Sequence, residues 1–384
     1  MPTFSLVFNE CRTEVERIVG SAKAPAPGEV RDLLEKSASE PLGLSELAAL
    51  LEIGNAPGAG EQFQAMRAFT YHRFRKPAGN RLRYVAPIYI SSYCCDTCGY
   101  CNFSANRKLE RKRLSLGGLE EELAAVLAAG PRVIELVLGT DPEFTGPVLA
   151  QYVEKTAELL RNEPGSGVLL CSNYLPEDTY LALKEAGLWG MVQWDETLEP
   201  DVYRRWHDAS PMKRHFEPRI DNHGRALTTG VEVATGALFG LADFRYDALM
   251  QIAKARFLEA EYGRKPFVFG NARLKPIGGR ELHLVTDVPD QAFETVLMVN
   301  KIAEPAVGRW LQTRETFDLN LRNMVDNDVF TYRCGEVRPG GYKDSAASLS
   351  ISGGQFGVHE MSQEAVEQAL AAQGFRMDYA WISG

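Results

Sequence analysis

Three cysteines of this chain stand close together. Cys94, Cys98 and Cys101 have C-x3-C-x2-C spacing within the stretch I-S-S-Y-C-C-D-T-C-G-Y-C-N-F-S at 90–104. Thiolates are soft ligands suited to iron–sulfur clusters or to zinc. Three of them can hold three irons of a [4Fe–4S] cluster and leave the fourth iron open to a small chelating ligand. A structural zinc ion wants four protein ligands. Cys95 is a candidate fourth thiol, but it adjoins Cys94 and would strain the loop, and no His occurs between His72 and His207. Cys95 also offers an alternative C-x2-C-x2-C register. Packed or redox-active thiols are the remaining alternative. The other cysteines are Cys11, Cys171 and Cys334, an odd total with lopsided spacing. That pattern argues against a secreted disulfide framework and for a cytoplasmic chain with a metal site.

The elements that must position this loop follow from periodicity. The first ~75 residues are helical in pattern, with apolar residues at helical spacing in Phe4–Val19, Val30–Leu34 and Leu42–Ile53. From about residue 84 short apolar runs alternate with amphipathic segments. The expected strands are Tyr84–Ser91, Val133–Gly139, Gly167–Ser172, Gly190–Asp195, Gly230–Gly240, Pro266–Leu274, Trp310–Thr316 and Val329–Cys334. The expected helices include Leu119–Ala129, Val148–Arg161, Pro176–Ala186, Tyr246–Tyr262, Gln291–Ala303 and Gln363–Gln373. Alternation of this kind implies parallel strands with helical crossovers. Eight such units close into an α/β fold of the (β/α)8 TIM type. An open doubly wound sheet is the competitor, weakened by the lack of G-x-G-x-x-G after the first strand. The expected division is a helical N-terminal extension at 1–78 and a barrel at 79–384. In such a barrel chemistry collects at the C-terminal strand ends, where the cysteine loop falls.

Composition bounds the partners. The chain has 384 residues and a formal net charge of −9, from 42 Lys+Arg against 51 Asp+Glu. An acidic balance argues against broad nucleic-acid binding, which needs a basic footprint. No apolar run reaches membrane-spanning length, and the charged residues of 1–20 argue against a secretory signal.

The cysteine loop, with Tyr100 before its last cysteine, resembles the radical S-adenosylmethionine (SAM) superfamily. The fuller stretch P-I-Y-I-S-S-Y-C-x3-C-x2-C-N-F-S-A-N-R resembles its aromatic amino acid lyases, the group of tyrosine lyases and of a tryptophan lyase. D-E-T at 195–197, A-R-L-K-P at 272–276, Q-T-R-E at 312–315 and P-G-G-Y at 339–342 continue the likeness. The resemblance implies a [4Fe–4S] cluster on Cys94, Cys98 and Cys101, with SAM chelating the open iron and cleaved to methionine and a 5′-deoxyadenosyl radical. It implies cofactor-binding roles for Tyr100 beside the adenine, for Thr140 and Asp141 where the family carries a Gly-Glu pair, and for Glu196, with Arg219 and Arg273 as further candidates. Asp195 and Leu198 depart from the family's Q-E-T-Y. For the substrate it implies Arg314 on the carboxylate, with Thr331 (or Tyr332) and Tyr89 lining the site. A second cysteine cluster, known in the hydrogenase-maturing member, has only Cys334 to represent it here.

The expected activity is a carbon–carbon lyase acting on a small free aromatic amino acid. Tyrosine is the lead substrate, through hydrogen abstraction from its amino group and Cα–Cβ cleavage. A tryptophan-type rearrangement is the rival, and a zinc or iron–sulfur carrier the non-enzyme alternative. An external electron donor of flavodoxin or ferredoxin type is implied.

Overall fold

The computed structural model describes residues 2–276, 282, 285–312, 314–327, 331–333, 338–343, 354–355 and 363–382. Its centre is a closed barrel of eight parallel strands. These are β1 (Arg81–Ser91), β2 (Val133–Leu138), β3 (Gly167–Cys171), β4 (Leu188–Val192), β5 (Glu232–Phe239), β6 (Val268–Arg273), β7 (Gly308–Gln312) and β8 (Thr331–Arg333). Each strand pairs in parallel with the next, and β8 returns to β1 with Arg83 opposite Thr331. The closed barrel matches the expected fold and removes the doubly wound alternative. Each expected strand overlaps an observed one. A short further strand, β9 (Arg376–Asp378), was not foreseen; it pairs with the start of β1 at Arg81–Arg83.

Side-chain alternation explains the two layers. Successive residues of a strand point to opposite faces. In β1, Tyr84, Ala86, Ile88 and Ile90 belong to the core shared with the surrounding helices. Val85 belongs to a second cluster with Val133, Leu169, Val192, Ala234, Val268 and Trp310, one residue from each of the first seven strands. That ring fills the barrel interior, with Ile382 packed into the same cluster. Above it lies an aromatic step. Trp194 crosses β5 and β6, where a Cβ on Gly236 or Gly270 would stand 2.6 Å and 2.2 Å from its ring. The two glycines are required by this close approach. Trp194 also meets Trp310 edge-on at 5.8 Å.

The N-terminal helices Phe4–Ser21, Pro27–Ser37, Leu44–Glu52 and Gly60–Thr70 lie against the barrel helices Phe244–Tyr262 and Asp290–Ala303. Ser5 donates to Asp221 at 2.6 Å, and Gln291 donates to the Ile53 carbonyl at 2.9 Å. The segment between β4 and β5 holds three short helices, Pro200–His207, Phe216–Ile220 and Asn222–Thr228, which periodicity did not isolate. No helix among the described residues is long and apolar enough to cross a membrane.

Candidate active site

The cysteine loop leaves β1 at Ser91 and is pinned from several sides. Arg111 donates to the carbonyls of Ser92, Phe103 and Ser104 at 2.5, 2.8 and 2.7 Å. Asp96 is buried and accepts from the backbone N–H groups of Met212 and Lys213, each at 3.0 Å, and from Thr140 Oγ1 at 2.6 Å. Thr97 N–H donates to Ser210 Oγ at 2.9 Å. Gly139 at the end of β2 is forced by the same loop, since a Cβ there would stand 2.4 Å from the Tyr93 carbonyl and 2.8 Å from Cys94. The close approach lets the Thr140 N–H reach Cys94 Sγ at 3.3 Å.

A pocket opens beside this loop. Cys94, Cys98 and Cys101 line it together with Tyr100, Thr140, Glu196, Arg219 and Arg314. Every one of those residues was singled out from the sequence. The cysteine loop follows β1, Thr140 follows β2, Glu196 follows β4 and Arg314 follows β7, as a barrel mouth requires, and Arg219 comes from the short helix Phe216–Ile220 between β4 and β5. Burial pushes the Cys98 thiol up to about 12, with Lys213 pulling it back, and raises Cys94 and Cys101 as well. A coordinated metal reverses that balance, because its charge deprotonates the thiol it binds. Among the described residues no three His, Cys, Asp or Glu converge on a single-ion position. Three thiols at one pocket are the soft donor set that an iron–sulfur cluster takes.

Glu196 follows β4 in the left-handed region, φ 67°, and is the one non-glycine with positive φ among the described residues. Its Oε1 receives Lys213 Nζ at 2.5 Å and Arg219 Nη2 at 3.4 Å. Burial alone would raise its carboxyl, but the two cations hold it down at about 2. Arg219 also donates to Asn173 Oδ1 at 2.7 Å and to the Trp194 carbonyl at 2.6 Å. Its buried Nε has no partner among the described residues.

Tyr100 is buried, and its hydroxyl lies 2.7 Å from His207 Nε2. His207 Nδ1 lies 2.7 Å from the Tyr203 carbonyl. A carbonyl can only accept, so Nδ1 carries the proton and Nε2 accepts from Tyr100. Burial, with Lys213 nearby, lowers His207 to about 3 and keeps it neutral.

Other expected residues are placed differently. Asp141 does not line the pocket; it accepts from Arg113 at 2.6 and 2.9 Å, from Ser91 at 2.6 Å and from the Glu143 N–H at 3.1 Å. Arg273 is also outside it. It donates to the Val288 carbonyl at 2.9 Å, and to Glu315 and Asp290 at 2.9 and 2.8 Å. Glu315, which could have paired with its neighbour Arg314, is thus bound by Arg273, with Lys275 at 3.2 Å. Tyr89 sits behind the pocket wall and donates to Gln355 Oε1 at 2.9 Å; Gln355 is the residue that lines the space. Thr331 is in β8, and its side chain, like all of Cys334, lies outside the described residues.

Sequence reasoning missed Lys213, Asn173, Cys171, Asp96 and Gln355. Lys213 is a cation in the segment between the fourth and fifth strands, where Arg204, Arg205, Arg214, Arg219 and Arg225 also lie, so charge alone does not single it out. The others are ordinary residue types whose role comes from three-dimensional approach alone.

No family model matches the chain. The 2-iminoacetate synthase of Escherichia coli (strain K12) is 29% identical over 327 residues, covering 84% of this chain and 83% of that protein. Among solved structures, the FeFe-hydrogenase maturase HydG from Carboxydothermus hydrogenoformans superposes with a TM-score of 0.82 at 26% identity, over 97% of this chain and 85% of that one. Methylornithine synthase (PylB) shares the fold, with a TM-score of 0.72 at 18% identity over 90% and 97% of the two chains.

Proposed function

We propose that this chain, which belongs to the radical SAM superfamily near its tyrosine-lyase-like members, is a cytoplasmic carbon–carbon lyase for a free aromatic amino acid, tyrosine first. The observation that carries the reading is that Arg314 and the three loop cysteines open onto one pocket. Cys94, Cys98 and Cys101 would hold the [4Fe–4S] cluster, and Glu196, Lys213, Arg219 and Tyr100 would surround SAM. When bound, these cofactors supply the 5′-deoxyadenosyl radical that takes a hydrogen atom from the substrate's amino group.

The protein's own part is placement. A substrate carboxylate entering a water-poor barrel needs a fixed cation, since an unpaired buried charge is costly. Arg314 offers the planar two-pronged donor that matches a carboxylate. Anchoring one end of the amino acid fixes the distance of its amino group from the reacting carbon, which must approach the ~3–3.5 Å of a near-attack arrangement. Trp194 gives the pocket an aromatic wall, which suits an aromatic side chain. Gln355 also lines the pocket, and its Oε1 accepts from the Tyr89 hydroxyl. Tyr89 therefore acts through Gln355, with Thr331 expected nearby. Glu196 stays ionised across the working pH range, so it can receive an ammonium group without first losing a proton.

The test is anaerobic turnover with each aromatic amino acid, followed by liquid chromatography–mass spectrometry. p-Cresol with tyrosine supports the proposal. An indole carboxylic acid from tryptophan would move the chain to the rearranging branch. Deoxyadenosine release without either product would refute both.

A further inference from the structure

Cleavage of a free aromatic amino acid between Cα and Cβ leaves two unlike fragments. One keeps the carboxylate that Arg314 would hold, and the other is a neutral aromatic molecule. A second hollow beside the pocket suits the neutral one. It is formed by the segments that follow β2 and β3, together with Pro211 and Met212. Leu138, Gly139, Thr140, Ser172 and Asn173 line both this side chamber and the active-site pocket, so the two meet at one wall. Beyond the wall Phe144, Leu149, Tyr174, Leu175 and Met212 surround the chamber. Four of them, Phe144, Tyr174, Leu175 and Met212, are only half-buried. Isolated apolar side chains at a surface need no explanation, but several gathered from separate segments around one hollow mark a binding site.

The chamber's few polar groups are already bonded. Asp141 is the sole charged residue among those that line it, and Arg113, Ser91 and the Glu143 N–H occupy its carboxylate. A carboxylate or an ammonium group entering here meets no free counter-charge among the described residues, and an unpaired buried charge is costly. A neutral ring with one hydroxyl meets no such cost, and an apolar lining with a few fixed polar groups is the usual make-up of a small-molecule site. The wall itself has a seam. Asn173 Nδ2 reaches Thr140 Oγ1 at 3.4 Å, beyond the usual range of about 2.7–3.2 Å and therefore weak. Each partner is held more tightly to its own side. Thr140 Oγ1 donates to Asp96 at 2.6 Å, and Asn173 Oδ1 accepts from Arg219 at 2.7 Å. The wall can therefore part between the β2 and β3 segments without losing a strong bond.

We propose that this side chamber binds the neutral aromatic fragment that the reaction releases, a small phenol without a carboxylate, and is its route out of the barrel past Thr140 and Asn173. The inference rests on the lyase reading and adds where the fragment goes and which chemistry the chamber selects. A phenol hydroxyl titrates near pH 10, about as tyrosine does, so the fragment is uncharged at neutral pH. An indole carboxylic acid is ionised there and would bring the charge that the chamber rejects.

The test uses the cluster-loaded enzyme with SAM and saturating tyrosine but no reductant, so that the main pocket is filled and nothing turns over. Calorimetric titration with p-cresol should show binding under these conditions, and 4-hydroxybenzoate, a phenol that carries a carboxylate, should bind at least tenfold more weakly. Leu175→Trp fills the chamber from the β3 side and should weaken p-cresol about tenfold or more while leaving SAM and tyrosine affinity unchanged. With reductant added, its first p-cresol per active site should form at the wild-type rate and later turnovers should slow. Wild-type iron content and SAM affinity certify the fold of the variant, and Met212→Trp, which fills the chamber from the opposite side, serves where Leu175→Trp fails that standard. Unchanged p-cresol affinity in the filled variant, or equal affinity for 4-hydroxybenzoate, would overturn the chamber. Phenol binding that the filling weakens, in an enzyme that makes no p-cresol from tyrosine, would support the chamber's chemistry and sink the lyase reading instead.

Discussion

Replacing Lys254 by Met tests how the end of β4 is held. Lys254, on the helix Phe244–Tyr262, is fully buried, and its Nζ lies 2.9 and 3.0 Å from the two oxygens of Asp195, itself 2% exposed. Thr235 Oγ1 donates to the same carboxylate at 2.7 Å, and His223 Nδ1 stands 4.0 Å away. Burial alone would raise the Asp195 carboxyl, but Lys254 and His223 hold it below its usual range. Removing one partner of a buried pair costs about 3–5 kcal/mol, because the other charge is left uncompensated. The Thr235 hydroxyl stays and His223 can take a proton, so the expected loss is about 3 kcal/mol at pH 8, the low end of that range. The sign with pH is fixed. In the wild type the depressed Asp195 value means its stabilisation is present above the unfolded value of about 3.9 and lost as pH falls through the folded one. In Lys254→Met the buried couple binds a proton that the unfolded chain does not, so stability falls as pH rises. The gap between the two proteins should therefore widen from pH 5 to pH 8. Urea unfolding at both pH values measures it. The double variant Asp195→Asn with Lys254→Met should recover part of the loss, because no charge is then stranded. A gap under about 1 kcal/mol at pH 8, or one independent of pH, would refute the argument that this pair is buried and ionised.

Four further outcomes follow from the site. Ser at Cys94, Cys98 or Cys101 should each abolish iron retention and brown colour in anaerobic preparations, whereas Cys95→Ser should keep both. Arg314→Ala should raise the substrate KM by tenfold or more while uncoupled SAM cleavage survives, since the carboxylate anchor is worth about 1.5–3 kcal/mol as a charge-assisted bond. Gly270→Ala puts a methyl group 2.2 Å from the Trp194 ring; overpacking of this kind costs about 1–3 kcal/mol and should lower Tm. His207 is held neutral down to about 3. Below about pH 6.5 the unfolded state takes a proton that the folded state refuses, so stability declines there, and His207→Gln should flatten that slope without touching the slope above pH 7.

The barrel was legible because eight short apolar runs alternate with amphipathic segments, a pattern that survives uncertain ends. The helices at 200–228 were not, because each is under two and a half turns and Pro200, Pro211 and Pro218 break the pattern. Strand β9 is three residues long, too short for any period. The cysteines, Glu196 and Arg314 could be placed at the barrel mouth from sequence because motif type and strand end agree, whereas Arg219 lies on the short helix Phe216–Ile220, away from any strand end. Asp141 and Arg273 show the limit of that reasoning. Both have the right charge at the right strand end, and nearby partners (Arg113, Glu315) claim them before the pocket can. Which partner wins depends on approaches across 28 and 42 residues of sequence, which periodicity does not carry.

β4 ends on two adjacent acids held from opposite sides. A left-handed non-glycine residue costs about 1–2 kcal/mol, so Glu196 is held there by something stronger. Asp195 is tied outward to Lys254 and Thr235, and its backbone N–H donates to the Gly236 carbonyl at 2.8 Å. The Glu196 carbonyl in turn accepts from Leu238 N–H at 2.7 Å. With the residue before it anchored outward and its own carbonyl in the β5 ladder, Glu196 reaches Lys213 and Arg219 from the left-handed conformation. Two adjacent acids thus serve opposite sides of one barrel wall: Asp195 meets a cation from the outer helix, and Glu196 meets cations over the pocket. The strain at Glu196 is offset by the ion pairs it gains, and the pocket acquires a carboxylate whose ionisation and direction are both set before any ligand arrives. Loosening Asp195 should therefore disturb Glu196 without any change to a pocket-lining side chain, which is why Lys254, remote from the pocket, is the informative place to perturb.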